Sequence, residues 1–213
     1  DPRVASRLLD NNPVNEDMNQ AGELVDVAFG INIVVNTKSK HSKLFCGDFH
    51  DAWIKSCKYV DDCYGVPIEK EADIVIASCG GYPKDINLYQ STKSIFNAAR
   101  AVKKGGTVIF LAECREGGGA PDFFSWIEPL KRGVLDEELR ANFTIGGYIF
   151  YALCEAIAKS KMLMLSEIDP NFVKDLNINS YKNIDELLEK VDFEGKDVCV
   201  LPYGGSVVPL LQD

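Results

Sequence analysis

The sequence predicts an α/β fold in three layers, a mostly parallel sheet sandwiched between helices. Short β-branched apolar runs alternate along the chain with segments whose apolar residues recur every three or four positions. Two of the runs, ADIVIASC and TVIFLAEC, are nearly continuous in apolar residues, as strands covered on both faces require. Three strand-like runs end in glycines, ASCGGY, AECREGGG and LPYGG, which suit short turns from strand to helix.

The elements follow in order. Residues 1–20 begin with the polar, Pro-containing stretch DPRVASRLLDNNPVNEDM and read as a linker from a missing N-terminal domain, with residues 21–213 forming one α/β domain. VDVAFGINIVVNT (25–37) reads as a strand bent at Gly30, and KLFCG as a second, short strand. From Asp48 to Cys63 the residues Phe49, Trp53, Cys57 and Val60 mark one face of a helix. ADIVIASC is the next strand, followed after YPKD by a helix over residues 86–102 with Asp85 as its N-cap. KKGG is expected to end that helix, with glycine past the C-terminus and Lys103 and Lys104 at its negative end. TVIFLAEC, a loop REGGGAPDFF, two helical segments, a third helix over 148–159, a strand MLMLSEI, a helix NIDELLEKV and a last strand DVCVLPYGG complete the series.

Composition removes several function classes. Of 213 residues, 32 are acidic against 23 Lys and Arg, a formal charge of −9 with the basic residues scattered. No basic footprint for nucleic acid or an anionic membrane surface is visible. A 46% hydrophobic content is enough to build a core, and no apolar run approaches the roughly 20 residues of a membrane span. Seven cysteines without CxxC spacing read as reduced thiols and predict a cytoplasmic address.

Nucleotide-binding GxGxxG and GxxxxGK[ST] patterns and the acyl-transfer GxSxG pattern are missing. His41 and His50 lack partners at metal-ligand spacing, so no metal site is expected from this chain alone, and His50 reads as a surface or capping residue. Cys79 and Cys114 follow apolar strands without an adjacent cation and read as inert core thiols. The informative stretch is GGYPKDINLYQSTKS, residues 80–94. Gln90 and Lys93 share a helical face with Tyr89 on its flank, and an amide, an ammonium and a phenol at a sheet's ligand edge suit a small carboxylate. The period running through Gln90, Lys93, Asn97, Arg100 and Lys104 equally fits a solvated helix face. A stand-alone module binding a small anion or nucleotide, and a purely structural domain, stay open beside an enzymatic role.

With NPVNEDM at 12–18, the whole of residues 80–119 and FTIGGYIFYALCEAIAKSKMLMLS at 143–166, the sequence resembles the C-terminal half of the nickel-dependent lactate racemase family. The resemblance implies two α/β domains around a cleft that holds a nickel-pincer nucleotide. Racemisation there proceeds by hydride transfer from a 2-hydroxy acid to the cofactor and back. Through the motif YQxxK it implies that Gln90 and Lys93 are catalytic, touching substrate or its developing oxyanion, and that Tyr89 lines the substrate pocket. The family's acid/base histidines, cofactor lysine and nickel histidine belong to the preceding half. The implied partner is therefore an N-terminal catalytic domain of the same protein, and this chain alone is expected to bind no nickel or cofactor and to be inactive. Asn15 and Tyr148 stand where the family often has His, which bears on which 2-hydroxy acid is the substrate.

Overall fold

Asn12 opens the first helix: its side chain accepts the N–H of Val14, and Pro13 sits where its missing N–H costs nothing. The computed structural model describes residues 1, 3–36 and 40–212, which form two compact units, Asp1–Cys63 and Tyr64–Asp213. Among the described residues no helix is long and apolar enough to cross a membrane.

The first unit contains helix α1 (Pro13–Glu23), strands β1 (Gly30–Val35) and β2 (His41–Gly47), and most of helix α2 (Phe49–Tyr64). α1 lies largely in the stretch read as a linker, and it buries none of its residues: Val14 and Met18, one turn apart, are both exposed. The strand expected over 25–37 is shorter than its apolar run and begins at Gly30 instead of bending there; a side chain at Gly30 would meet the Phe49 backbone at 2.6 Å. Thr37, the last residue of that run, lies outside the described residues. β1 and β2 pair antiparallel with Ile31 opposite Cys46 and Ile33 opposite Leu44. Val34 is buried, whereas Val25, Val27, Phe29, Ile31, Ile33 and Val35 are all exposed. An apolar stripe with the two-residue period of a strand therefore faces outward.

The second unit is built on a five-stranded, wholly parallel sheet. Its elements are β3 (Gly65–Ile68), β4 (Ala72–Ser78), α3 (Leu88–Ala101), β5 (Val102–Leu111), α4 (Pro121–Phe124), α5 (Ile127–Lys131), α6 (Leu135–Ala141), α7 (Ile145–Ile157), β6 (Lys161–Leu165), α8 (Pro170–Val173), β7 (Ile178–Tyr181), α9 (Ile184–Leu188), β8 (Val198–Leu201) and β9 (Val208–Leu211). The sheet order is β7-β6-β5-β4-β8, and β3 and β9 make a separate parallel pair. Parallel neighbours need crossovers, which the helices supply. On one face Val75, Ala77, Val108, Phe110, Met162 and Met164 meet the buried sides of α3 and α7, including Leu88, Ile95, Phe150 and Leu153. On the other, Ile74, Ile109 and Leu163 meet Leu187 of α9, with Ile76, Leu111 and Leu165 only partly covered. The α/β sandwich holds, with very unequal helical layers.

Two details differ from expectation. α3 is capped by Asn87, whose side chain accepts the Gln90 N–H, and not by Asp85. KKGG does not follow a helix end. Val102 is already extended and pairs with Ala72, and the next pair is Ile74 with Thr107, so KKGG forms a bulge inside β5. Gly105 takes the left-handed φ of 81° that this detour needs. β3, β7, β9 and α8 are four-residue elements, too short for periodicity to mark.

Phe110 is fully buried between strand neighbours and helices. Phe110→Ala is expected to lower the unfolding free energy by about 3–5 kcal/mol, read from the midpoint and slope of urea denaturation.

Candidate active-site face

The carboxyl ends of β4, β5 and β8 each run into a glycine turn, and two of these turns close on α3. After β5, Gly117 and Gly118 carbonyls accept the N–H groups of Leu88 (2.9 Å) and Tyr89 (3.1 Å), satisfying donors that a helix start otherwise leaves to water. A Cβ at Gly119 would lie 2.9 Å from that of Tyr89, and one at Gly118 would lie 2.7–2.8 Å from the Phe172 and Phe124 rings. After β8, the Gly204 carbonyl accepts from the Asn97 amide at 2.7 Å, and a Cβ at Gly205 would lie 2.9 Å from the Ser94 hydroxyl. Here the glycines serve close backbone approach as well as turning.

Held in this way, α3 presents the three residues singled out from sequence. Tyr89 is half-buried, its ring edge-on to Phe123 at 5.3 Å. Gln90 is half-buried and Lys93 exposed, and the Lys93 ammonium donates to Gln90 Oε1 at 3.4 Å. The helical spacing thus brings amide and ammonium together. Lys93 makes no ion pair among the described residues. The reading of this periodic face as simply solvated fails further along: Asn97 is docked on Gly204, and Lys104 lies in β5.

Sequence reasoning passed over several neighbours. Asp85 is buried at 7% exposure; its Oδ2 accepts the Glu113 N–H at 3.3 Å, and its Oδ1 has no hydrogen-bond partner among the described residues. Arg115 pairs with Glu113 at 2.6 Å and lies 5.5 Å from the centre of the Tyr82 ring. Lys84 donates to the Ser206 hydroxyl at 2.7 Å. The one signal that could have found these residues is their place just past the apolar strands, where open α/β sheets bind ligands.

The thiols below this edge are unsuited to nucleophilic work. Cys79 and Cys114 are buried, and burial pushes the Cys114 thiol up to about 11 and raises that of Cys79. Burial, helped by the nearby Glu155, pushes Cys154 up to about 12. His41 and His50 are exposed in the first unit, with the His50 ring 5.7 Å from that of Trp53. Among the described residues no three His, Cys, Asp or Glu side chains are grouped to hold a metal ion. The donors grouped among the described residues do not fit a nickel ion. Asn15 donates to the Leu9 carbonyl at 2.7 Å, and Tyr148 is exposed in the first turn of α7.

Residues 68–209 match the lactate racemase C-terminal domain family. The chain belongs to the lactate racemase family. It is 32% identical to the lactate racemase of Thermoanaerobacterium thermosaccharolyticum over 97% of its length and 50% of that relative. Identity to the lactate racemase of Lactiplantibacillus plantarum is 27%, over 97% of the chain and 51% of the relative. The structure of the T. thermosaccharolyticum lactate racemase apoprotein superposes with a TM-score of 0.88 at 31% identity, covering 99% of this chain and 52% of that one. A Thermotoga maritima protein at 14% identity and a TM-score of 0.64 shares the fold. The chain spans about half the length of the curated relatives it matches. The lactate racemase C-terminal match falls wholly within the second unit, and the first unit lies outside it.

Raised thiols have two measurable consequences. Alkylation by iodoacetamide at pH 8, mapped by mass spectrometry, is expected to label the exposed Cys46 and Cys63 well before Cys79, Cys114 or Cys154. The folded chain keeps its Cys114 proton up to about pH 11, whereas an unfolded thiol loses it near its ordinary 9.0. The unfolded state therefore binds fewer protons in that window, and stability is expected to fall as pH rises from 9 to 11 in denaturation series.

Proposed function

We propose that this chain is the C-terminal half of a lactate-racemase-like isomerase acting on a small 2-hydroxy acid. In this reading Lys93 and Gln90 are catalytic, Tyr89 lines the substrate pocket, and the site is completed by a preceding catalytic domain that carries the nickel-pincer nucleotide. The observation that carries the reading is the Lys93 ammonium on Gln90 Oε1 at 3.4 Å, beside the glycine-rich strand ends and without an acidic partner among the described residues. The seven free cysteines support a cytoplasmic, reducing setting.

The chemistry follows from the groups. An ammonium without a carboxylate partner gives a substrate carboxylate a charge-assisted hydrogen bond. With Oε1 turned toward Lys93, the Gln90 amide N–H groups remain as donors for an oxygen of the substrate. Inverting a hydroxyl-bearing carbon passes through a species of carbonyl character, and donors fixed where negative charge develops on that oxygen lower the barrier. Two points of attachment also orient a small acid that offers few other handles. Tyr89, braced by Phe123, supplies a rigid wall. This chain holds and orients substrate; the redox part of the reaction belongs to the cofactor of the preceding half.

The first unit supports the missing half as partner. Ile31, Ile33 and Val35 of β1 and, in the segment just before it, Val25, Val27 and Phe29 are exposed apolar residues, a surface that soluble proteins normally cover. The relatives supply as much sequence again as this chain contains. The preceding half of the polypeptide is the occupant we assign to the stripe.

In the polypeptide extended to its relatives' length, Lys93→Ala is expected to cut lactate racemisation by about 100-fold or more, measured by chiral chromatography, with an unchanged melting temperature. Normal turnover would remove Lys93 from the site. Ile33→Asp is expected to change the stability of the 213-residue chain little, yet to cost the extended polypeptide about 3 kcal/mol or more by burying an unpaired charge. Equal effects in the two would show that the stripe stays open.

A further inference from the structure

The KKGG bulge of β5 has no part in the function proposed above, and it lies at the opposite, amino-terminal edge of the sheet. There it borders a cavity of about 320 Å³ between the starts of β4 and β5 and the segment that follows α9. Four lysines line it, Lys103 and Lys104 from the bulge and Lys190 and Lys196 from the segment after α9. Only two carboxylates, Asp73 and Asp192, accompany them, in a chain whose formal charge is −9. A local excess of cations in an acidic protein is the opposite of what an unselected surface would show.

Of the two carboxylates only Asp73 has a lysine partner, and Asp192 accepts one backbone N–H. Asp73 Oδ1 accepts from Lys103 at 2.9 Å and its Oδ2 from the Asp197 N–H at 3.0 Å, while Asp192 Oδ1 accepts from the Glu194 N–H at 3.0 Å. Lys103 reaches Asp197 as well, at 3.7 Å. Lys104, Lys190 and Lys196 make no ion pair and no side-chain hydrogen bond among the described residues. The bulge between them is tightly held: a Cβ at Gly106 would meet the Asp73 carbonyl at 2.7 Å, and the Gly105 N–H donates to the Lys159 carbonyl at 2.7 Å. Bulges re-aim side chains, and this one displaces two lysines from the line of the strand.

We propose that this cavity binds the phosphate group of a small phosphomonoester. Ammonium groups that line one cavity repel one another unless an anion lies among them, and a phosphate dianion suits several point charges better than a monoanionic carboxylate does. The volume exceeds that of a free phosphate ion, for which one water occupies about 30 Å³ of liquid as a yardstick. The remaining space has Ile74 and Val191 in its wall, a surface for the organic body of an ester. Such a ligand would tie the segment after α9 to the strand starts. The site stands at the far end of the strands from Gln90 and Lys93 and does not depend on the racemase reading.

The test is calorimetric titration of the 213-residue chain with inorganic phosphate and with glycerol 3-phosphate, at ionic strength matched by sodium chloride. Saturable one-to-one binding of both is expected, at least threefold tighter for the ester. The exposed pair Lys104→Ala/Lys196→Ala should weaken it at least tenfold without shifting the melting temperature in ligand-free buffer, and Lys93→Ala should leave it unchanged. Absence of saturable binding, full affinity in the double variant, or loss of affinity in Lys93→Ala would each overturn the assignment. So would phosphate binding from which the ester is excluded.

Discussion

How closely two glycine turns can approach α3 decides the geometry of the whole carboxyl edge. Leu88 and Tyr89 direct their backbone N–H groups at the carbonyls of Gly117 and Gly118, and Asn97 reaches the carbonyl of Gly204. Side chains at Gly118, Gly119 or Gly205 would meet neighbouring atoms at 2.7–2.9 Å, distances at which something must move. The helix is therefore fixed by backbone contacts at its start and along its flank. Those contacts define which of its faces remains open, and Gln90 and Lys93 stand on that face.

This arrangement separates rigidity from exposure. Tyr89 joins an edge-to-face series through Phe123 to Phe150 in the main core, and Leu88, Ile95 and Ala98 are fully buried. One turn away, the Lys93 ammonium stands in solvent beside an amide. This edge has positioned groups and an open side, and the two curated relatives the chain matches are about twice its length.

Much of the fold was legible because parallel strands buried on both faces are written as dense apolar runs. β4, β5 and β6 stand where ADIVIASC, TVIFLAEC and MLMLSEI placed them. The pairing of Gln90 with Lys93 was legible too, since helical spacing alone brings residues three apart together. The misses share a different cause. KKGG has the composition of a helix stop, yet Val102 pairing with Ala72 overrides that local preference, and the glycines serve a bulge. Asp85 is a good N-cap type in a plausible place, but Asn87 lies two residues nearer the helix and takes the role, leaving Asp85 to bind the Glu113 N–H. β3, β7 and β9, of four residues each, lack an apolar period long enough to read. Nothing local could show that Tyr82, Arg115 and Lys84 gather at one edge, because that depends on strand order.

The unequal covering of the sheet has a dynamic consequence. One face is locked under α3 and α7, while the row Ile74, Ile109 and Leu163 is shielded chiefly by Leu187 from a helix of five residues. With so few apolar partners, α9 and the flanking edge strands form the cheapest part of this unit to open, and their amides should exchange with solvent ahead of those in α3. The back of the sheet is thus a breathing layer under a rigid front, and any molecule that pins α9 would slow that breathing without touching the edge where Lys93 stands.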